Sequence, residues 1–485
     1  MTQLHDLSAL EAVDAMWRRE AGPVELTEHC LDRIDRLDAD IGAFVTRVTG
    51  TAREHAARAE EELLAASGRA ELPPLHGVPT AIKDLTLTAG VPTSMGSATL
   101  LDWVPDVDDF VVTKMCAAGL ISLGKTATPE FGLPCYTESD IGPPARTPWD
   151  TSRLAGGSSG GAAAAVAAGF LPIAQGSDGG GSIRIPASVC GLVGLKPSRG
   201  RVSRGPLDVD SAGLGVLGPL ARTVRDAAAF LDAVAGPMPG DAYWASPLPA
   251  GQTFLGACDR EPGRLRIGRY LQSPIPADVD PQVRAAWESA SRLLADLGHE
   301  IVDIDAPIPP EAISAFETVW SVSAASIPVD PAKDDMLRPL TRHLRERGRV
   351  ITGVQYAQAL GALSLFARRG VAASIQYDAV LTPTVAQLPR PVGYFTDAGD
   401  PAADFELQKR FTPWTALYNT TGQPAISLPL YSSVAGVSAD DAVGGLPIGI
   451  MLVGRPAGEA DLLALAAQAE AALPWRHRYP PIWAR

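Results

Sequence analysis

The chain has 485 residues, of which 46% are hydrophobic and 20% are charged, and its formal net charge is −14. This length and apolar content are those of a globular enzyme that can bury a substantial core as one large α/β unit. The acidic balance argues against a nucleic-acid-binding surface, which needs clustered lysine and arginine. We therefore expect no nucleic-acid partner.

The sequence carries no sign of secretion, membrane insertion or disulfide bonding. Residues 1–38 are charged and periodic, without the apolar segment of a signal peptide. The most apolar run, Gly160 to Ala174, is too short to span a bilayer and contains Pro172. The five cysteines are scattered and lack metal-ligand spacing, which favours reduced thiols. We expect a cytoplasmic protein without a membrane span, metal site or cofactor, and a homodimer is left open.

The N-terminal section, residues 1–74, is predicted to be helical. Apolar residues recur on one helical face in 7–17 and again in 26–37, with Gly22-Pro23 between them. A third, charged helix is predicted over 51–67, before Gly68 and the pair Pro73-Pro74. We expect this section to pack on a main domain formed by residues 75–485.

From Leu75 onward, short apolar runs alternate with helical patterns. Strands are predicted at 77–82, 120–123, 171–175, 265–270 and 300–304. Helices are predicted at 109–118, 161–169 and 281–297, and residues 310–371 are also helical in pattern. Such alternation indicates an α/β sheet that is covered by helices on both faces.

Two serines, 24 residues apart, lie in glycine-rich turns and are the main chemical feature of the sequence. Ser158 stands in Gly-Gly-Ser-Ser-Gly-Gly, and Ser182 follows Asp-Gly-Gly-Gly. Dense glycines allow sharp turns and bring N–H groups close to a ligand, which suits a nucleophile beside an oxyanion hole. Ser182 is the candidate nucleophile because a strand end, a tight turn and a helix start let glycine N–H groups converge on a carbonyl oxygen. A structural turn or a phosphate-binding loop is the alternative, although no Gly-x-x-x-x-Gly-Lys-[Ser/Thr] motif supports the phosphate version.

The base for such a serine is not evident among the seven histidines, none of which lies in a glycine-rich turn. His76 is the nearest to a motif and is more simply a loop histidine bonded locally. Lys83, at the end of an apolar strand, can replace histidine if burial lowers the pKa of its amine. Taken alone, Lys83 would be a solvated surface residue. The Ser158 hydroxyl, which both donates and accepts, could pass protons between Lys83 and Ser182.

In combination, these segments resemble the amidase signature family, hydrolases with a Ser–cis-Ser–Lys triad. The resemblance runs from about Leu7 to Leu473. The matching segments are Gly77–Asp84, Gly124–Thr126, Pro129–Gly132, Pro148–Asp150, Gly156–Gly161, Asp178–Arg184, Leu381–Thr384, Asn419–Pro429 and Gly445–Gly449. It implies a single large α/β/α sandwich with a twisted mixed β-sheet, in which the helical segment at about 310–371 is a variable substrate region.

The resemblance also implies a role for each matched residue. Ser182 matches the nucleophile, Ser158 the cis-serine and Lys83 the base, with a cis peptide bond before Ser158. The residues matched to the oxyanion hole, together with the Ser182 N–H, are Gly179, Gly180 and Gly181. The residues matched to supporting positions are Ser159, Asp178 and Arg184.

The implied activity is hydrolysis of a carboxylic amide through an acyl-enzyme on Ser182, with a small-molecule amide as the partner. Similarity to the 6-aminohexanoate cyclic-dimer hydrolase group favours ω-amino-acid amides, aryl amides or carbamates, and the apolar residues Ile185 and Met451 favour hydrophobic acyl or amine groups. Specificity is expected to come from 316–366, 131–144 and 412–419. One alternative is the amidase-type component of a glutamyl-tRNA amidotransferase, a partner-dependent transferase, but this chain has Ile185 and Met451 where we expect glutamine in those proteins. A remote alternative is an inactive binding protein, which would be expected to lose a triad residue.

Overall fold

The computed structural model describes residues 3–208, 210, 212–438 and 444–485. The α-helices in chain order are α1 (Ala9–Trp17), α2 (Pro23–Ile41), α3 (Thr49–Ala65), α4 (Phe110–Ala117), α5 (Gly160–Ala167), α6 (Arg184–Cys190), α7 (Val224–Val234), α8 (Phe254–Ala257), α9 (Pro281–Asp296), α10 (Glu311–Ser326), α11 (Pro339–Arg349), α12 (Gly353–Ser374), α13 (Pro401–Phe411), α14 (Thr415–Thr421) and α15 (Glu459–Ala472). The helical patterns at 51–67 and 281–297 correspond to α3 and α9, and 310–371 corresponds to α10, α11 and α12.

The strands form two sheets. In chain order they are β1 (Phe44–Arg47), β2 (Pro79–Lys83), β3 (Ile121–Thr126), β4 (Ile173–Asp178), β5 (Val193–Lys196), β6 (Val216–Ala221), β7 (Arg266–Arg269), β8 (Glu300–Asp303), β9 (Ala379–Pro383), β10 (Ala425–Ser432) and β11 (Pro447–Gly454). The large sheet has eight strands in the order β4-β6-β5-β10-β11-β9-β7-β8. The small sheet has the order β1-β3-β2.

The large sheet is the mixed sheet that the sequence led us to expect. Strand β7 runs parallel to β8 and β9, whereas β11 runs antiparallel to both β9 and β10. Every residue of the central strands β5 and β11 is buried. Since successive side chains of a strand point to opposite faces, burial of all of them requires that both faces be covered. The α/β/α sandwich is therefore confirmed.

The small sheet was not expected. Strand β1 lies inside the section predicted to be helical, and it pairs antiparallel with β3. Strands β2 and β3, predicted at 77–82 and 120–123, run parallel to each other in this sheet instead of joining the large one. Strand β1 has the sequence Phe-Val-Thr-Arg, in which two polar residues follow two apolar ones, so it lacks the alternating pattern that indicates a strand.

The N-terminal helices are bonded to the rest of the protein through buried polar contacts. The guanidinium of Arg33 on α2 donates to the carbonyl oxygens of Ala168 and Gly169, which follow α5, at 2.9 and 3.1 Å. One hydrophobic cluster includes side chains from Ala9 to Ile482. Among the described residues no single helix is long and apolar enough to cross a membrane, and α11 and α12 reach that length and composition only as a pair bent by 104°.

Candidate active site

Lys83 ends strand β2, and its amine lies between two hydroxyl groups. Its Nζ atom is 2.8 Å from Ser158 Oγ and 2.9 Å from Ser177 Oγ. The side chain is completely buried. Burial lowers the pKa of Lys83 well below its usual value, and this effect outweighs the attraction of Asp178. Burial therefore favours the neutral amine, the form that can accept a proton from a hydroxyl.

The turn that carries Ser158 has little freedom. The peptide bond between Gly157 and Ser158 is cis, as the resemblance implied. Thr137 Oγ1 donates to the Gly156 carbonyl at 2.8 Å, and Thr128 Oγ1 donates to the Ser158 carbonyl at 3.0 Å. A Cβ atom on Gly157 would lie 2.6 Å from the backbone of Tyr136, so only glycine fits there.

Ser159 joins the two serine turns. Its N–H donates to the Ser182 carbonyl at 3.1 Å, which brings the second turn beside the first. Its Oγ donates to the Ser177 carbonyl at 3.1 Å, at the end of β4. Because Ser159 bonds to both segments, it holds Ser158, Ser177 and Ser182 at one edge of the sandwich.

Asp178 and Arg184 form a buried pair beneath the Ser182 turn. Arg184 Nε and Nη2 each donate to a different oxygen of Asp178 at 2.9 Å, and both side chains are fully buried. Asn419 Nδ2 donates to the same carboxylate at 2.8 Å. Burial alone would raise the pKa of Asp178, but the Arg184 charge and these hydrogen bonds hold it well below its usual range. The carboxylate therefore stays charged and anchors the turn.

The N–H groups matched to an oxyanion hole differ in whether they are already bonded. The Gly181 N–H donates to Asp178 Oδ1 at 2.7 Å, so it is already bonded and does not face a substrate. Gly181 has a φ of 132°, and a Cβ atom there would overlap Thr415 and Ile185. In the parts of the chain that the structure describes, the N–H groups of Gly179, Gly180 and Ser182 have no protein acceptor. Gly181 thus shapes the turn, and the other three N–H groups are left for a ligand.

Two cavities meet at Ser182, whose side chain is 8% exposed. The larger has a volume of about 580 Å³ and is also lined by Ser158, Ser177 and Gly179. The smaller has a volume of about 90 Å³ and is also lined by Gly180 and Ile185. Leu133 and Trp320 line both cavities.

The cavity walls come from the expected segments and from others. Leu133, Phe316 and Thr412 represent the three segments predicted to carry specificity, 131–144, 316–366 and 412–419. Helix α13 also contributes, as do Arg204, Leu207, Asp208, Asp210, Leu214 and Gly215, and the sequence had not pointed to them.

Ile185 and Met451, which stand where glutamine is expected in the amidotransferase component, lie in different surroundings. Ile185 lines the small cavity beside Ser182, so it can contact a ligand directly. Met451 is buried and lines neither cavity, and its Sδ accepts a hydrogen bond from Arg184 Nη1 at 3.3 Å. Met451 thus acts on the buried Asp178–Arg184 pair and not on a ligand.

His76, the histidine nearest to a sequence motif, is bonded away from this site. His76 Nε2 lies 2.8 Å from the Ala59 carbonyl on α3, and no histidine lines either cavity. Within the described ranges, no group of three or more His, Cys, Asp or Glu side chains could hold a metal ion.

The polar contacts of three residues at the site were not predicted from the sequence, although Thr415 and Asn419 lie in the segment 412–419 that was expected to carry specificity. Ser177 bonds Lys83, Asn419 bonds Asp178, and Thr415 Oγ1 donates to the Gly180 carbonyl at 2.6 Å. A hydroxyl directly before Asp178 was the available signal for Ser177. Thr415 and Asn419 are more than 230 positions from the turn they support, and no local pattern connects them to it.

The chain is similar to known amidases over nearly its whole length. A family model described as Amidase matches residues 25–463. A putative amidase from Synechocystis sp. is 37% identical over 477 residues, which cover 97% of this chain and 89% of the relative. A 6-aminohexanoate-cyclic-dimer hydrolase from Paenarthrobacter ureafaciens is 36% identical over 493 residues, which cover 96% of this chain and 94% of the relative.

A solved structure leads to the same family. The structure of 6-aminohexanoate cyclic dimer hydrolase complexed with substrate has a TM-score of 0.87 and 33% identity. The match covers 99% of this chain and 100% of that chain. The resemblance to amidase signature enzymes is thereby confirmed: the chain belongs to the amidase family and is an amide-hydrolysing enzyme.

Proposed function

We propose that the protein hydrolyses small-molecule amides through an acyl-enzyme on Ser182, with Lys83 as the base and Ser158 as the proton relay. The observation that carries this proposal is the 2.8 Å contact between Lys83 Nζ and Ser158 Oγ, in a cavity that Ser182 also lines. A buried neutral lysine can accept a proton that an exposed one would not.

Acylation begins when Ser182 Oγ attacks the amide carbonyl carbon. The Ser182 proton passes to Ser158 Oγ while the Ser158 proton passes to Lys83 Nζ. The carbonyl oxygen becomes an oxyanion, and the N–H groups of Gly179, Gly180 and Ser182 donate to it. Ser158 then gives a proton to the amide nitrogen and regains one from Lys83, the C–N bond breaks, and the amine leaves.

Deacylation repeats the proton transfers with water as the nucleophile. Water loses a proton to Ser158 and attacks the acyl carbon, and Ser182 recovers its proton as the carboxylic acid is released. In each half-reaction Lys83 is transiently a cation. The charged Asp178 attracts that cation, and Ser177 accepts a hydrogen bond from it.

Apolar or partly apolar amides fit this site better than free glutamine does. Ile185 presents a hydrocarbon wall beside Ser182, and it offers no hydrogen bond to a carboxamide. The candidate substrates are aryl amides, ω-amino-acid amides and carbamates. The name of a related enzyme, 6-aminohexanoate cyclic dimer hydrolase, indicates an ω-amino-acid amide as its substrate. We place this activity in the cytoplasm, since the acidic chain has five free cysteines.

The test is substitution of Ser182 together with trapping of the acyl-enzyme. With butyryl p-nitroanilide as the probe, Ser182→Ala is expected to lower kcat/KM by roughly 10³-fold or more. Acid quenching of the unmodified protein should show the butyryl mass on the peptide that contains Ser182. Ser364→Ala, an exposed change on α12, is the control and should react normally.

Two results would contradict the proposal. A normal rate in Ser182→Ala would exclude the nucleophile. Inactivity on all amides, combined with glutamine-dependent amide transfer once a purified partner protein is added, would support the amidotransferase component instead.

A further inference from the structure

The two cavities at Ser182 differ in their relation to the proton donor. The large cavity is lined by Ser158 and Ser177 as well as by Ser182. The small cavity is lined by Ser182 and Gly180, and Ser158 does not line it. A group in the large cavity can therefore receive a proton from Ser158, whereas a group in the small cavity does not face that hydroxyl.

The leaving nitrogen must lie within hydrogen-bond reach of the group that protonates it, whereas the acyl group stays bonded to Ser182. We infer that the leaving amine occupies the large cavity and the acyl group occupies the small one. This inference rests on the proposed acyl-enzyme mechanism and adds the substrate class to it. The site then takes amides that join a short acyl group to a bulky amine.

The small cavity limits the acyl group by its volume. Its volume of about 90 Å³ is less than a sixth of the volume of the large cavity, so it favours a short acyl group. Its walls include the apolar side chains of Ile185, Ile313 and Phe316. We expect a hexanoyl or benzoyl group to fit this space better than a decanoyl chain does.

The large cavity suits an amine with apolar and aromatic parts. Its volume is about 580 Å³, more than six times that of the small cavity. Leu85, Trp103 and Leu214 line it, together with Arg204, which pairs with Asp210 at 3.0 Å. An aryl amine can pack on the apolar walls while polar substituents reach the charged ones.

Trp320 on α10 forms the wall between the two cavities. It lines both, and its ring stacks on Phe316 with centroids 5.4 Å apart and planes at 18°. A Cβ atom on Gly179 would lie 3.4 Å from the Trp320 ring, so the ring lies directly against the oxyanion turn. Trp320 therefore lies between the two cavities on one side, and the cavities meet at Ser182.

Two series of substrates test the assignment. In p-nitroanilides of acetyl, butyryl, hexanoyl and decanoyl groups, kcat/KM should rise to about hexanoyl and then fall at least tenfold at decanoyl. In butyramides of methylamine, aniline and 4-phenoxyaniline, kcat/KM should not fall as the amine grows. A decanoyl anilide as good as the hexanoyl one, together with a tenfold loss for the bulky amine, would overturn the inference.

Two matched variants separate the cavities. Ala416 is half-buried and lines only the small cavity of the two, so Ala416→Leu should lower the hexanoyl rate at least tenfold and the acetyl rate much less. Ser323 is exposed and lines only the large one, so Ser323→Leu should lower the 4-phenoxyanilide rate and keep the acyl order. If Ala416→Leu instead impaired the bulky amines and Ser323→Leu impaired the longer acyl groups, the acyl group would lie in the large cavity.

The butyryl adduct on Ser182 distinguishes failure of this assignment from failure of the mechanism. If the effects are exchanged and the adduct still forms, the mechanism stands and only the assignment of the cavities is wrong. If no adduct forms, the acyl-enzyme mechanism itself is refuted.

Discussion

Lys83 Nζ lies 2.8 Å from Ser158 Oγ, although the two residues are 75 positions apart in the chain. The first ends a fully buried strand of the small sheet, and the second lies in the turn before α5. This contact joins a buried amine to a hydroxyl at the cavity that Ser182 lines. In the proposed mechanism, this contact takes the place of the histidine that activates a serine in a Ser-His-Asp triad.

The activity should depend on the protonation of Lys83. Burial lowers the pKa of this amine well below the usual 10.5, so the neutral, proton-accepting form is present at lower pH than for an exposed lysine. We expect kcat/KM to rise with pH and to level off well below pH 10.5. A pH–rate profile with an anilide substrate measures this.

Lys83→Arg provides the control for that profile, because arginine keeps the charge and does not lose its proton. This variant should be inactive at every pH. A profile that continues to rise to pH 10 would contradict the assignment of Lys83 as a buried base.

Ser177 should tune the base without reacting itself. Its hydroxyl lies 2.9 Å from Lys83 Nζ and stabilises the charged amine by accepting a hydrogen bond. Ser177→Ala is therefore expected to lower the pKa of Lys83 and to move the inflection of the pH–rate profile downward. Loss of one hydrogen bond of about 1 kcal/mol corresponds to a roughly fivefold fall in kcat/KM.

Ser177→Thr keeps the hydroxyl and should restore both the rate and the inflection. A purely structural role for Ser177 predicts something different, namely a lower melting temperature with an unmoved inflection in Ser177→Ala.

Gly181 should be essential for folding of the turn, and Gly180 should not. Gly181 has a φ of 132°, and a Cβ atom there overlaps Thr415, whereas a Cβ atom on Gly180 meets only Phe316 at an ordinary 3.6 Å. Gly181→Ala is expected to destabilise the protein by about 2 kcal/mol or more, because strain and overlap add. Thermal unfolding of Gly181→Ala and Gly180→Ala compares the two positions directly. Equal melting temperatures would refute the role of Gly181 in shaping the turn.

Glu470 on α15 should make stability pH-dependent. Burial and the neighbouring Asp226 raise its pKa to about 7, and its Oε1 atom has no hydrogen-bond partner among the described residues. A carboxyl with a raised folded-state pKa contributes stability below its unfolded value of about 4.3, and this contribution is lost as pH rises through 7. The melting temperature should therefore fall between pH 5 and pH 8.5.

Glu470→Gln should flatten this dependence, because glutamine keeps the acceptor for the Val224 N–H and has no charge to bury. Glu288→Gln, an exposed change on α9, should leave the slope as it is. A steep fall in Glu470→Gln equal to that of the unmodified protein would exclude Glu470 as the source.

The members of the proposed triad and the class of chemistry can be read from the sequence itself. Ser158 and Ser182 lie in glycine-rich turns, and Lys83 follows an apolar strand, so each carries a signal in its immediate neighbours. The mixed α/β sheet is likewise indicated by the alternation of short apolar runs with amphipathic helices. These features are local, because turns, strands and helices depend on residues close in the chain.

Other features depend on contacts between residues that are far apart in the chain. The bond from Gly181 N–H to Asp178, the support of Gly180 by Thr415, and the wall that Trp320 forms between the two cavities have no pattern in the linear sequence. The placement of β2 and β3 in a second sheet with the short strand β1 is likewise a matter of long-range pairing. A cavity is bounded by side chains from many elements, and its volume depends on how those elements pack. The sequence therefore identifies the bond that is broken, whereas packing determines which groups can lie on either side of it.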